Sequence, residues 1–169
     1  IPGDFLGCDE ESSRAALSLI NECPSGVIRM MEDIEGLVET SLNLGILQMN
    51  DERMEISFSV RSAVGAEKKK LADRLKEIAV SHGASYGMHG EYPAWEYRKE
   101  SHLRDVMCDT YRDMYGKDPI VMTIHAGLEC GVFVAKTGCD ALSIGPDIYN
   151  IHTPDEALDI ASSERFYKL

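Results

Sequence analysis

A chain of 169 residues, 44% hydrophobic and 27% charged, has an ordinary globular composition and enough length for one good core or two small ones. Its formal net charge of −12 argues against nucleic acid or an anionic membrane as partner, because phosphate binding needs the opposite sign. No apolar run reaches the length of a membrane span, and no basic-then-apolar signal segment opens the chain.

In chain order, residues 1–11 form an irregular start, and Ser12 or Ser13 is placed to cap a short helix with the apolar stripe Ala16, Leu17, Leu19 and Ile20. Cys23-Pro24-Ser25-Gly26 ends it, and residues 27–30 read as a short strand. Residues 37–49 predict a long strand in which Leu42, Leu44 and Ile46 alternate with Ser41, Asn43 and Gly45. After a hairpin loop at residues 50–53, residues 54–62 predict the return strand. Met54, Ile56, Phe58 and Val60 face one side of it, and Glu55, Ser57, Ser59 and Arg61 the other. The spacing of Leu71, Leu75, Ile78 and Ala79 predicts a helix over residues 66–82, closed by Gly83, with Lys68, Lys69 and Lys70 on its solvated face. Residues 84–90 supply another strand. The order matches part of a ferredoxin-like α+β layer.

Glu91-Tyr92-Pro93-Ala94-Trp95 is the expected domain boundary, separating residues 1–91 from 92–169. Ser101 caps a predicted helix to Tyr115, which Gly116-Lys117-Asp118-Pro119 stops. Residues 119–124 read as a strand breaking into His125-Ala126-Gly127, and residues 141–145 as a second strand broken at Gly145-Pro146. His152 precedes Thr153-Pro154-Asp155-Glu156, which has capping-box spacing, and a last helix runs to Leu169. This half reads as part of a parallel α/β layer, incomplete within the chain. A histidine at such a strand end is a metal ligand, a general acid or base, or a residue that only satisfies a loop. Five cysteines (8, 23, 108, 130 and 139) without CxxC spacing read as reduced, buried or reactive thiols of a cytoplasmic protein.

Several of these stretches also carry a resemblance. His125-Ala126-Gly127-Leu128-Glu129-Cys130-Gly131, Ser143-Ile144-Gly145-Pro146 and His152-Thr153-Pro154-Asp155-Glu156 resemble the C-terminal signature of the aminoacyl-histidine (Xaa-His) dipeptidases of the zinc-dependent M20 metallopeptidase family. Val38-Glu39-Thr40-Ser41-Leu42-Asn43, Val60-Arg61-Ser62 and Tyr92-Pro93-Ala94-Trp95 fit the same family in the same order. The resemblance, with the absence of an initiating Met, implies a C-terminal piece covering about the last third of a family member. Residues 1–91 would be part of a lid and dimerisation domain, and residues 92–169 the last segment of the α/β catalytic domain.

The resemblance implies hydrolysis of Xaa-His dipeptides, β-alanyl-histidine among them, by two zinc ions per full-length subunit, with other divalent metals as alternatives. His152 matches the last zinc ligand, and Arg61 matches an arginine that holds the substrate carboxylate. Gly127 matches a glycine whose backbone lies close to substrate, and His125 beside it is a binding or a structural residue. The general base and the other metal ligands are expected upstream, so no catalytic residue is assigned in the chain and the chain alone is expected to be inactive. Expected partners are the dipeptide, the remaining N-terminal polypeptide and a second copy joined through the lid. Glu129 reads as structural and Cys130 as a small buried hydrophobe. The alternatives are a non-catalytic binding or dimerisation module and a cysteine hydrolase built on Cys130.

Overall fold

Asp9 starts the first helix, α1 (Glu10–Glu22), in a computed structural model that describes residues 8–32, 34–50, 52–123 and 129–169. Its carboxylate accepts the Ser12 N–H at 2.8 Å, and the Ser12 hydroxyl donates back at 2.9 Å. The cap therefore lies ahead of the expected Ser12 or Ser13. Glu10 and Glu11 explain the shift, since carboxylates suit the positive end of a helix.

Three strands follow, β1 (Gly26–Met30), β2 (Val38–Met49) and β3 (Met54–Ser62), in one antiparallel sheet of order β1-β2-β3. The Asn50 side chain makes the β2–β3 turn, accepting the N–H groups of Glu52 at 3.0 Å and Arg53 at 2.9 Å. Helix α2 (Gly65–Ser81) covers one face of the sheet. Leu42 is 1% exposed and packs against Leu71 and Leu75, with Cys23, Phe58, Val60 and Tyr86 around them. Arg29 of β1 reaches Glu32 at 2.8 Å, buried Glu39 of β2 at 3.4 Å and Glu67 of α2 at 3.8 Å.

Two expectations fail in this region. The alternation of β2 breaks at Gly45, where the register slips between Leu44↔Phe58 and Ile46↔Ser57. Gly45 is the extra residue of a bulge. Leu47 and Met49, rather than Ile46, continue the face that Leu42 begins, and Ile46 is 53% exposed. Residues 84–90 form no strand. Tyr86 reaches the core while its backbone joins no ladder, and Gly87 and Gly90 weaken any extended run. Gly83 closes α2 at φ +73 as expected.

Lys68 also departs from its expected solvated role. Its ammonium donates to the Tyr92 carbonyl at 2.7 Å and lies 3.7 Å from the centre of the Tyr92 ring. Glu96 accepts the Gly65 N–H at 2.9 Å, capping α2 where Val64 offers no side-chain bond. A Cβ on Gly131 would meet the Pro93 carbonyl at 3.0 Å and the Trp95 Cβ at 3.3 Å. The connector at residues 92–96 is thus fastened to a first compact unit, which takes in the described residues of Ile1–Tyr97 and Thr123–Gly131.

The second unit comprises Arg98–Met122 and Val132–Leu169. Ser101 caps α3 (His102–Tyr115) as predicted, accepting the Arg104 N–H at 3.1 Å, and Gly116 ends it at φ 65. Helix α4 (Glu129–Thr137) begins in the first unit and continues into the second. The predicted strands at residues 119–124 and 141–145 do not form among the described residues, because no neighbouring strand is there to pair with them. The pairing found is a short antiparallel one, β4 (Ile148–Tyr149) with β5 (Ala157–Leu158), before α5 (Ile160–Lys168). Asp159, not Thr153, caps α5, accepting the Ser162 N–H. The described buried hydrophobics, Leu42, Leu71, Leu75 and Ile78, all lie in the first unit. Hydrogen bonds dominate the second: Ser101 to Asp140 at 2.8 Å, Tyr115 to the Arg165 carbonyl at 2.8 Å, and the Asp147 N–H to Ser162 at 2.8 Å.

Leu42→Ala is expected to destabilise the protein by about 2–5 kcal/mol through lost transfer energy and a cavity under α2. Urea unfolding checks this, with a lower midpoint and an unchanged slope.

Candidate functional site

The loop between β4 and β5 holds His152. The described residues have two non-glycine positions at positive φ, Asn150 at 52° and His152 at 67°, on either side of Ile151. Asn and His are among the residue types that tolerate this region, yet the conformation still costs roughly 1–2 kcal/mol per residue. Surrounding bonds hold it. The His152 N–H donates to Glu156 Oε2 at 2.9 Å, and the Thr153 N–H and hydroxyl donate to the Asn150 carbonyl at 3.1 and 2.8 Å. Asp155 N–H donates to Thr153 Oγ1 at 3.2 Å, Glu156 N–H to the Thr153 carbonyl at 3.1 Å, and the Asn150 amide to the Asp155 carbonyl at 3.3 Å.

The expected capping box is therefore a turn. Glu156 reaches back to His152 instead of Thr153, and Ala157 and Leu158 go directly into pairing with Tyr149 and Ile148. Sequence reasoning missed Asn150 and the actual target of Glu156. The available signal was two left-handed-tolerant residues, Asn150 and His152, bracketing one position.

The His152 side chain is exposed, and among the described residues its imidazole has no hydrogen-bond or ion-pair partner. It fits zinc as one donor: an open imidazole on a fixed backbone. Among the described residues no three His, Cys, Asp or Glu side chains gather to hold an ion, so this donor set is incomplete by itself.

Arg61 lies on β3 opposite Ser41 of β2, exposed on the sheet face turned away from α2. Among the described residues it makes no ion pair, which leaves its guanidinium fork open. Arg61 and His152 sit in different compact units. His125 and Gly127 lie outside the described residues. Glu129 is exposed and Cys130 half-buried in the first turn of α4. No helix among the described residues is long and apolar enough to cross a membrane.

No family model matches the chain. It is 36% identical over 170 aligned residues to the cytosol non-specific dipeptidase of Escherichia coli, covering 100% of this chain and 35% of that protein. Over 117 residues it is 25% identical to the succinyl-diaminopimelate desuccinylase of Nitrosomonas eutropha, covering 69% of this chain and 31% of that protein. The crystal structure of aminoacylhistidine dipeptidase from Vibrio alginolyticus matches with a TM-score of 0.83 at 32% identity, covering 99% of this chain and 34% of that one. The mixed α/β fold is that of the M20 dipeptidase architecture. By sequence and by fold the chain is a relative of the M20-family aminoacylhistidine, or Xaa-His, dipeptidases. It spans about a third of the length of the dipeptidases it matches.

Asp140 gives the second unit a pH dependence. The Leu103 N–H first, and the Ser101 hydroxyl second, hold its carboxyl below the ordinary carboxylate range. A lowered folded-state pKa contributes stability that is present above about pH 3.9 and lost as pH falls further. Asp140→Asn is expected to melt below the wild type at pH 7. That gap should close as the two are compared down to pH 3 by thermal unfolding.

Proposed function

We propose that the whole protein is a zinc-dependent dipeptidase hydrolysing Xaa-His dipeptides such as β-alanyl-histidine. The observation that carries this is the 36% identity to a dipeptidase along the full chain. The fold match to an aminoacylhistidine dipeptidase favours the Xaa-His class. In this reading residues 1–91 belong to a ferredoxin-like lid and residues 92–169 to the last segment of the catalytic domain. The antiparallel sheet with one helix-covered face suits the lid assignment, and the uncovered edge strand β1 suits a homodimer joined there. The cytosolic relative favours a cytoplasmic location.

Zinc, when bound, polarises the scissile carbonyl and lowers the pKa of bound water. His152 is one of its ligands. Arg61 grips the substrate carboxylate, for which a planar guanidinium offers two parallel donors. The relatives are about three times as long, and the remaining ligands and the general base are assigned to sequence beyond this third. The chain alone is then inactive.

In the full-length protein His152→Ala is expected to lower zinc content and abolish turnover while the circular dichroism spectrum stays unchanged. Wild-type zinc stoichiometry in that variant refutes the ligand assignment. Arg61→Ala is expected to reduce kcat/KM about ten- to a hundredfold on dipeptides, the equivalent of a lost charged hydrogen bond. C-terminally amidated analogues should lose far less, and equal losses on both substrates reject the carboxylate role.

A further inference from the structure

We infer that Glu156 is a positioning residue for His152, fixing the direction of its imidazole through the backbone. The inference rests on the proposal that His152 holds zinc. At φ 67° the Cα–Cβ bond of His152 leaves the chain in a direction that no right-handed or extended backbone reproduces. Among the described residues the His152 N–H donates to Glu156 Oε2 alone, at 2.9 Å, so the carboxylate acts on the atom next to the unusual torsion. The β4–β5 pairing holds Glu156 in place, since Ala157 next to it is registered against Tyr149. Asn150 and Thr153 close the rest of the loop without touching that N–H. Outer partners that orient a ligating histidine through its ring N–H typically change metal affinity by about 10–100-fold when removed, and the same order is expected for a bond that sets its backbone.

The test uses the full-length protein as Glu156→Ala, Glu156→Gln and His152→Ala. It measures amide exchange over residues 150–156 by mass spectrometry, zinc affinity by competition with a chromophoric chelator, and the thermal midpoint. Glu156→Ala is expected to speed exchange in that segment and weaken zinc binding about 10–100-fold, with little change in the midpoint. Glu156→Gln should stay close to wild type, because its amide oxygen still accepts the N–H. Wild-type exchange in Glu156→Ala overturns the inference, as does a Glu156→Gln variant no better than Glu156→Ala. Wild-type zinc affinity in His152→Ala overturns the ligand proposal instead, and the exchange measurement separates the two failures.

Discussion

Leu42 against Leu71 and Leu75 is the contact on which the first unit depends. It joins the middle strand to α2, and Phe58 and Val60 of β3 and Tyr86 of the following loop close around it. The sheet presents its opposite face, with Arg61, because this one is spoken for. A guanidinium on an open strand face needs a rigid strand beneath it, and apolar packing from behind provides that rigidity. Arg61 and the core residues Phe58 and Val60 are thus two sides of one strand.

The second unit is held on different terms. Its described contacts are chiefly hydrogen bonds at helix ends and in the β4–β5 loop, and Ile120, Met122, Ile160 and Tyr167 are exposed. A charged or polar bond fixes direction but contributes little net stability per contact. Such a unit suits the exact aiming of a loop better than independent endurance.

What was legible in the sequence follows from how local each signal is. The alternation of β3, the stripe of α2, and the Ser101 and Gly116 caps depend on neighbours within a few residues, and they appear as predicted. The expected strands at residues 119–124 and 141–145 depend on pairing partners, and among the described residues they have none. Thr153-Pro154-Asp155-Glu156 misled for a related reason. Its spacing serves a turn as well as a helix, and the β4–β5 pairing decides between them. Arg61 and His152 stand out as candidates by residue type and context, whereas the torsion of His152 does not.

Gly45 has a consequence for how this sheet tolerates change in length. The bulge shifts the phase of β2 by one residue, so the inner segment at Leu42 and the outer segment at Leu47 and Met49 share a face. Deleting that single residue would leave the hairpin its pairing and restore plain alternation, with Ile46 following Leu44 directly and both faces unchanged. Ile46 would stay beside Ser57 on the side that carries Arg61, and Leu47 and Met49 beside Ile56 and Met54 on the side of Leu42. Loss of one residue at this position is therefore uncoupled from polarity over the outer hairpin, because the bulge already sets the extra residue apart from the ladder. A relative lacking the residue would carry the same order of apolar and polar side chains beyond it, read as an unbroken alternation.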